Sequence, residues 1–355
     1  GMGPVHIEGL YDRILGFLAS AKSEGAKVVT GGGLPKGDTF ARGFWVEPTV
    51  YADVTMDMKV GCEEIFGPVM SVIKWSTQEE AIQLANVGGS IDGQTGSSPF
   101  IADTITFDPT LNGQPIVLTA GQIAITGNSG ITITGNGAGT TIIDANLSSR
   151  IFDITLGAGP TIIDGIAFNN GQTIGSNEPG GAIRSNGGVL TIRNSSFSGN
   201  RTLATGSEGG AIYQRNTDLV ISSSVFSGNS TSGTNSDGGA IFNLFGNVSI
   251  TGSTFRNNST SGTDSDGGAL FHQFGLSSVT ITNSVFEGNS TVGQTSRGGA
   301  IASSGSGFTG ITIRTSAFNL NSTTGDGSNG GALFVNSGPI DIRDSLFSVN
   351  STQPD

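Results

Sequence analysis

The sequence predicts a mainly β protein, a right-handed parallel β-helix solenoid with coils of about 29 residues, preceded by a small α/β fragment. Two observations support this prediction: an internal repeat and an abrupt change of composition near residue 87. A Gly-Gly-Ala motif followed by Ile or Leu recurs in steps of 29, 29, 29, 31 and 32 residues. The motif begins at Gly180, Gly209, Gly238, Gly267, Gly298 and Gly330. One such unit cannot bury its own apolar stripe, so the units must stack.

A second motif, Phe-x-x-Asn, recurs in the same register and divides each unit into strands. Its phenylalanines are Phe197, Phe226, Phe255, Phe286, Phe318 and Phe347. An aliphatic residue lies seven positions before each Phe, Ile lies five before and Ser lies two before. The first two offsets have the two-residue period of a half-buried strand, and the change of phase before Ser predicts a bend. We therefore expect three short strands in each coil.

Stacking of the coils places like side chains on one another at a spacing of ~4.8 Å. Phe then lies on Phe and Asn on Asn, and amides in register can hydrogen-bond along the stack. The usual crossover preference predicts a right-handed coil. Residues 103–127 have the pattern of a segment that begins or caps such a solenoid.

The first 86 residues predict a separate α/β fragment. Apolar spacing predicts a helix over 5–26 that ends near Gly25, and β-rich runs predict strands within 27–32, 44–54 and 68–75. Thr77 and Glu80 form a capping box that opens a short helix over 78–86. Every Lys, Trp, Met and Cys precedes residue 87. We therefore divide the chain into 1–86, a Gly/Ser-rich linker at 87–99, and the solenoid at 100–355.

Charge and composition exclude several classes of partner. The net charge of −12 argues against nucleic acid, because phosphate backbones attract Lys and Arg surfaces. No apolar run reaches the length of a membrane span. The single cysteine, Cys62, excludes an intramolecular disulfide. No signal peptide follows Met2, so we expect that export would depend on a signal outside this sequence.

Residues 2–86, and above all the segment EEIFGPV at 63–69, resemble the NAD(P)-dependent aldehyde dehydrogenases of the betaine-aldehyde type. The resemblance implies that Glu64 would hydrogen-bond the nicotinamide ribose and that Phe66 would pack beside it. It also implies that the nucleophile, the general base and the dinucleotide loop belong to parts of the family outside this match. Cys62 lies outside the nucleophile motif. We therefore expect no catalytic residue and no bound cofactor, with Glu64 and Phe66 not functional here.

The Gly-Gly-Ala-Ile and Phe-x-x-Asn motifs resemble those of bacterial surface β-helix proteins of the polymorphic outer-membrane and autotransporter passenger type. This resemblance implies an extracellular or cell-surface location and a structural, adhesive or carbohydrate-binding role, with a carbohydrate or another cell-surface ligand as partner. The alternative is a polysaccharide lyase or glycoside hydrolase, which would use clustered acids. The acids of this solenoid are scattered, and Asp164 and Arg193 are expected to form a surface ion pair. Aldehyde dehydrogenase activity is a third, remote hypothesis.

Variation in the length of the repeat points to one edge of the solenoid. The inserted residues fall within 271–278 and 302–310, in the turn that follows each Gly-Gly-Ala motif. Insertions of repeat proteins often gather on a binding edge, although neutral drift of a surface loop is the other interpretation. His272, the only histidine of the repeats, is expected to be exposed in this turn.

Acidic residues precede three successive Gly-Gly-Ala motifs, at Glu208, Asp237 and Asp266. With Asp264 nearby, these carboxylates predict a weak Ca²⁺ site, because hard oxygen ligands suit that ion. A solvated loop face, with Arg297 opposing the negative charge, is the other interpretation. We also expect self-association, through apolar surface of the N-terminal fragment or through an open end of the solenoid.

Overall fold

A computed structural model of the protein describes residues 4–63, 65–76, 103–127, 130–157, 159–273 and 275–353. The chain divides into two compact units, Gly1–Ser97 and Ser98–Asp355. The predicted linker at 87–99 and the predicted helix at 78–86 lie outside the described residues. The domain limits drawn from composition therefore stay a prediction.

The N-terminal unit contains the helix and strands that its sequence pattern predicts. The helices are Glu8–Glu24 and Lys59–Cys62, and a short 3₁₀ helix spans Asp38–Phe40. The strands are Lys27–Thr30, Thr49–Val54 and Val69–Ile73. The first pair is antiparallel and the second pair parallel, with the strand at Thr49–Val54 in the middle. The long helix ends at Gly25, which adopts the left-handed conformation that favours glycine (φ 91°).

One face of the long helix packs against this sheet. Ile14 and Phe17 are buried on the helix, Tyr51 on the central strand and Val60 on the short helix. Val29 and Met70 lie on strands of the same sheet and are exposed by 60% and 62%. The unit therefore has a small core and also exposes apolar side chains to solvent.

The C-terminal unit is a β-solenoid of about eight turns with a spacing of about 29 residues. Its strands form four parallel sheets that run along the stack. Sheet 1 follows the Gly-Gly-Ala motif. Its strands are Ile123–Gly127, Phe152–Leu156, Ile183–Asn186, Ile212–Arg215, Ile241–Leu244, Leu270–Gln273, Ile301–Ser304 and Leu333–Val335. Sheet 2 carries the aliphatic pair. Its strands are Asp103–Thr106, Ile131–Thr134, Thr161–Asp164, Leu190–Arg193, Leu219–Ser222, Val248–Thr251, Ser278–Thr282, Gly310–Arg314 and Ile340–Arg343.

Sheets 3 and 4 complete each coil. Sheet 3 carries the phenylalanine of each Phe-x-x-Asn motif. Its strands are Pro115–Val117, Ile142–Asp144, Ala167–Asn169, Ser196–Ser198, Val225–Ser227, Thr254–Arg256, Val285–Glu287, Ala317–Asn319 and Leu346–Ser348. Sheet 4 consists of short strands: Gln172–Thr173, Arg201–Thr202, Ser230–Thr231, Ser259–Thr260, Ser290–Thr291, Ser322–Thr324 and Ser351–Gln353. The 3₁₀ helix Pro109–Leu111 lies in the entry segment, whose strands form a first coil.

The coils stack in register, as the repeat predicts. Phe226 pairs with Phe255, and Phe255 with Phe286, across neighbouring strands of sheet 3. Their ring centroids are 4.7 Å apart and the rings lie within 2° of parallel. All three side chains are fully buried. The rings therefore form a continuous internal stack with the spacing of the strands themselves.

Buried asparagines form a second internal ladder. Asn229 Nδ2 donates to Asn258 Oδ1 at 2.9 Å, and Asn258 Nδ2 donates to Asn289 Oδ1 at 2.9 Å. Asn258 Nδ2 also donates to the carbonyl oxygen of Phe226, while its Oδ1 accepts the backbone N–H of Asn229. The amides thus satisfy one another and the backbone, which removes the penalty for burying them.

Single residues in the left-handed conformation make the sharp corners. Ser223 (φ 48°) lies between sheets 2 and 3, which is the bend that the change of phase predicts. A second corner, at Gly228 (φ 63°), separates sheets 3 and 4. The prediction of three strands per coil was therefore wrong, because the chain bends within the Phe-x-x-Asn segment and the two residues that follow its Asn pair as a fourth strand. Two paired residues are too short to produce a hydrophobic period.

The first two positions of the Gly-Gly-Ala motif require glycine for different steric reasons. Gly238 adopts φ 66°, a conformation that side chains rarely tolerate. At Gly239 a Cβ atom would lie 2.2 Å from the carbonyl oxygen of Gly268 in the next coil. The first glycine makes the turn and the second permits close contact between coils.

The Phe stack should carry a large share of the stability of the solenoid. We expect Phe255→Ala to lower its free energy of unfolding by ~3–5 kcal/mol, because the substitution opens a cavity between two stacked rings. Denaturant unfolding followed by far-UV circular dichroism measures this change.

The matched control is Phe347→Ala, at the last ring of the same stack, which is 37% exposed. Its loss should be less than half as large, because part of that ring is already in water. Equal losses for the two variants would contradict a core made of stacked rings.

Candidate functional site

The turns between sheet 1 and sheet 2 lie on one edge of the solenoid, which we call the turn edge. It comprises residues 187–189, 216–218, 245–247, 275–277 and 305–309. The predicted insertions fall here, since the two coils of 31 and 32 residues contain the turns at 275–277 and 305–309. This position confirms that the repeat changes length at a single edge. Residues 271–273, which the sequence assigned to the inserted turn, instead continue the strand of sheet 1.

An exposed aromatic residue on the turn edge has an unfavourable backbone conformation. Phe245 is 46% exposed and has φ 66°, in the left-handed region. Gly187 and Asn216, which tolerate this region, occupy the same position in the two preceding coils. A bulky residue there costs of order 1–3 kcal/mol, and such strain clusters at functional sites. Leu276, on the turn of the next coil, is 88% exposed and adds a second apolar side chain to the turn edge.

A ladder of polar side chains runs beside this apolar surface. Asp218 Oδ1 accepts from Asn247 N at 2.9 Å and from Asn247 Nδ2 at 3.0 Å. Asn247 Oδ1 in turn accepts from Ser278 N at 2.9 Å and from Ser278 Oγ at 3.1 Å. Asn247 is exposed and the other two are half-buried. Apolar and hydrogen-bonding groups therefore lie side by side on the turn edge.

His272 is buried, so the expectation of an exposed histidine was wrong. The residue lies in a strand of sheet 1 and its side chain is 0% exposed, because it points inward in register with Asn243. Its Nε2 lies 3.0 Å from the carbonyl oxygen of Gly246. Phe308, from the second insertion, packs on the imidazole with ring centroids 5.1 Å apart. Burial lowers the pKa of His272, which favours the neutral ring.

The acidic residues predicted as metal ligands stack in a column. Asp237 Oδ1 accepts the backbone N–H of Asp266 at 2.7 Å, and Asp266 Oδ1 accepts the backbone N–H of Arg297 at 2.7 Å. Arg297 Nη2 also lies 2.7 Å from Asp266 Oδ2. Each aspartate thus caps the coil that follows it. The guanidinium of Arg297 lies 4.8 Å from the centroid of the Phe334 ring.

Burial raises the pKa of these carboxyl groups. It raises the pKa of Glu208 to about 7. It raises the pKa of Asp237 well above its usual value, and the neighbouring carboxylates act in the same direction. The pKa of Asp266 is also raised by burial, although the ion pair with Arg297 opposes this effect. Burial therefore favours the protonated form of each of these carboxyl groups, and for Asp266 the ion pair with Arg297 opposes it.

Asp264, the fourth predicted ligand, makes a separate contact, because its Oδ1 accepts a hydrogen bond from Thr295 Oγ1. Within the described ranges, no group of three or more His, Cys, Asp or Glu side chains is arranged to hold a metal ion. The Ca²⁺ site at Glu208, Asp237, Asp264 and Asp266 stays a prediction.

Other acids of the solenoid are paired with arginines. Arg184 Nη2 lies 2.6 Å from Asp153 Oδ2. Asp164 Oδ2 lies 3.5 Å from Arg193 Nε, as the sequence predicts. Such surface pairs contribute little to stability. They place each of these carboxylates beside a positively charged guanidinium.

Three residues are of interest because of the resemblance to aldehyde dehydrogenases: Glu64, Phe66 and Cys62. Phe66 is 42% exposed, and Glu64 lies outside the described residues. Cys62 is half-buried at the end of the short helix, with its Sγ 3.8 Å from the carbonyl oxygen of Lys59. The assignment of Glu64 and Phe66 to cofactor binding stays a prediction.

Architecture and turn edge together define a class of protein, the parallel β-solenoids built from repeats. Residues 194–215 and 223–244 match the Chlamydia polymorphic membrane protein repeat, which confirms the resemblance of the solenoid motifs. Residues 1–89 match the aldehyde dehydrogenase family. The chain therefore joins an aldehyde dehydrogenase fragment to a β-solenoid with polymorphic membrane protein repeats. In the described part of the chain, no helix is both long and apolar enough to cross a membrane.

Individual relatives match the N-terminal fragment. Betaine aldehyde dehydrogenase of Brucella ovis is 48% identical over 85 residues, which cover 24% of this chain and 18% of that protein. Aminoaldehyde dehydrogenase 2 of Pisum sativum is 52% identical over 85 residues, covering 24% and 16%. The crystal structure of Mycobacterium tuberculosis aldehyde dehydrogenase with NAD⁺ matches at 45% identity, covering 24% and 17%, with a TM-score of 0.23. The chain thus spans less than a fifth of the length of these relatives.

The raised pKa of Glu208 predicts a pH dependence of stability. Between its ordinary pKa of 4.5 and its folded value of about 7, the unfolded chain releases the proton that the folded protein keeps. The free energy of unfolding should therefore fall as pH rises through this window and lose no more from Glu208 above it. In Glu208→Gln this part of the slope should disappear, as measured by thermal unfolding between pH 5 and 8.

His272 acts in the opposite direction, because its lowered pKa makes stability rise with pH below its ordinary value of 6.5. His272 is unchanged in Glu208→Gln, so its contribution cancels in the difference between the two proteins, which reports Glu208 and its effect on Asp237. An identical pH slope in both would show that Glu208 titrates as an ordinary surface carboxylate.

Proposed function

We propose that the solenoid is a non-catalytic binding module that presents a carbohydrate-binding turn edge at a cell surface. The observation that carries this proposal is the exposed ring of Phe245, held at a strained backbone position beside a polar ladder. Strain of this kind is retained where the side chain has a use. Binding residues also gather on loops that a rigid scaffold positions.

The chemistry of the turn edge suits a sugar. A pyranose ring has an apolar C–H face and an edge of hydroxyl groups, so it requires an apolar surface next to donors and acceptors. Phe245 and Leu276 would contact the apolar face, since aromatic rings offer a large and rigid surface. Asn247 and Ser278, which belong to the polar ladder, would exchange hydrogen bonds with the hydroxyls of the sugar.

Ion pairing of the acids supports a binding role over an enzymatic one. Lyases and hydrolases on a β-helix need carboxyl groups free to transfer protons or to attack. In the described residues Asp153 and Asp164 instead face Arg184 and Arg193. The solenoid region also contains no lysine.

Similarity to polymorphic membrane protein repeats supports the proposed cell-surface location. Two apolar surfaces support self-association. In the last coil Ile340 is 50% exposed, whereas its counterpart Ile311 in the preceding coil is buried, and Leu346 is 58% exposed. In the N-terminal unit Met70 is 62% exposed and Val72 is 42% exposed.

Removal of the exposed ring tests the binding role. Using the full chain and a glycan array followed by titration calorimetry, we expect a sugar ligand whose affinity falls about tenfold or more in Phe245→Ala, equivalent to ~1.4 kcal/mol. The contact area of the ring is lost while the fold remains, because the side chain is exposed.

Phe66→Ala is the matched control, since this ring is 42% exposed but belongs to the N-terminal unit. It should bind the sugar like the parent protein. Equal affinity in both variants would contradict the assignment of the turn edge. Release of unsaturated or reducing products during the titration would favour the lyase or hydrolase alternative.

The N-terminal fragment is proposed to lack dehydrogenase activity. The full chain should neither reduce NAD⁺ in the presence of betaine aldehyde nor bind NAD⁺ in a calorimetric titration, because Glu64 and Phe66 would supply only the ribose side of a pocket. Saturable binding of NAD⁺ that Glu64→Gln abolishes would overturn this part of the proposal.

A further inference from the structure

A column of polar side chains runs inside the solenoid, on the inward positions of sheet 1. Its members are Ser185, Gln214, Asn243, His272 and Ser303. Strand pairing places them in register, and each is at most 1% exposed. Isoleucine occupies the equivalent position in the coil before Ser185, at Ile154. Buried polar groups of this kind require hydrogen-bond partners.

Gln214 finds two partners at the corner of the coil. Its Nε2 donates to Thr217 Oγ1 at 2.5 Å, within the same coil. The same nitrogen donates to the carbonyl oxygen of Gly188 at 3.2 Å, in the preceding coil. The amide is therefore anchored by a hydroxyl of its own coil and by a carbonyl of the neighbouring one.

His272, two coils further on, repeats this arrangement. Its Nε2 lies 3.0 Å from Ser277 Oγ, in the same coil. It also lies 3.0 Å from the carbonyl oxygen of Gly246, in the preceding coil. Ser277 follows Gly246 in the stack as Thr217 follows Gly188. The imidazole of His272 and the carboxamide of Gln214 thus contact equivalent atoms: a hydroxyl of their own coil and a carbonyl oxygen of the preceding coil.

Asn243 lies between these two and lacks both partners. Its coil has Gly246 at the corner, so no hydroxyl is present there. Its side chain is also shorter than glutamine by one bond, ~1.5 Å. No hydrogen bond joins the amide to the carbonyl oxygen of Thr217, which corresponds to the carbonyls of Gly188 and Gly246 in the neighbouring coils. Neither Nδ2 nor Oδ1 of Asn243 has a protein partner, although the side chain is 0% exposed.

We propose that Asn243 binds a single buried water molecule, which takes the place that the hydroxyls of Thr217 and Ser277 occupy in the neighbouring coils. The water would bridge the Asn243 amide and the carbonyl oxygen of Thr217. Two hydrogen bonds of ~2.8 Å at a tetrahedral angle span ~4.6 Å, so one water can join two groups that do not bond directly. Gln214 Oε1, in the adjacent position of the column, also has no protein partner and offers a third contact.

The chemistry of the site favours water over an ion or an apolar ligand. The groups around Asn243 are a carboxamide, backbone carbonyls and neutral side chains, so no charge is present to balance an ion. A buried water usually makes about three hydrogen bonds, which is the number of partners named here. An empty space is expected only where the lining is apolar.

A crystal structure of the full chain at about 1.5 Å resolution tests the proposal directly. The expected result is a density peak within about 2.7–3.2 Å of both the Asn243 amide and the Thr217 carbonyl oxygen. A structure in which the amide bonds directly to protein atoms, or in which no peak is present, would overturn it.

Asn243→Gln provides a second readout. The longer amide should reach the Thr217 carbonyl and expel the water, so the peak should vanish and Tm should rise by roughly 1–3 °C. The matched control is Asn258→Gln, where the amide is already fully bonded and overpacking should lower Tm. A fall in Tm for Asn243→Gln as large as in the control, with the peak retained, would refute the placement of the water between Asn243 and the Thr217 carbonyl.

Discussion

The structure of the solenoid depends on one constraint: each coil stacks on the next with its parallel strands in register. Because each coil is the hydrogen-bonding partner of the next, a side chain at one position meets the same position above and below it. Phe226, Phe255 and Phe286 stack with 4.7 Å between ring centroids for this reason. Asn229 and Asn258 share hydrogen bonds for the same reason, so polar groups can be buried without a loss of stability.

The sequence alone predicted these internal columns because a fixed spacing and like side chains leave few arrangements open. It did not predict the fourth strand, such as Ser230–Thr231, since two paired residues carry no hydrophobic period. Burial of His272 was missed because its neighbours in the column, Asn243 and Ser303, are polar and resemble a loop sequence. Only an alignment of the strands of sheet 1 reveals that this position points inward.

The turn edge was predicted from insertions, whereas its most distinctive residue was not. No sequence pattern indicates that Phe245 adopts a left-handed backbone conformation. The signal becomes visible only when the repeats are superimposed, because Gly187 and Asn216 then occupy the same position. A residue that breaks the preference of its column is a candidate for function rather than for packing. The same comparison identifies Asn243 as the amide of its column whose nitrogen and oxygen both lack a protein partner.

The near identity of the contacts between coils has an evolutionary consequence. Asn200, Asn229 and Asn258 are joined by hydrogen bonds of 2.9 Å at each step, so every coil offers the same upper and lower surface. A gene that gained or lost one whole unit of 29 residues would preserve every junction. Recombination between repeats can therefore lengthen or shorten the solenoid without any need to redesign the interior.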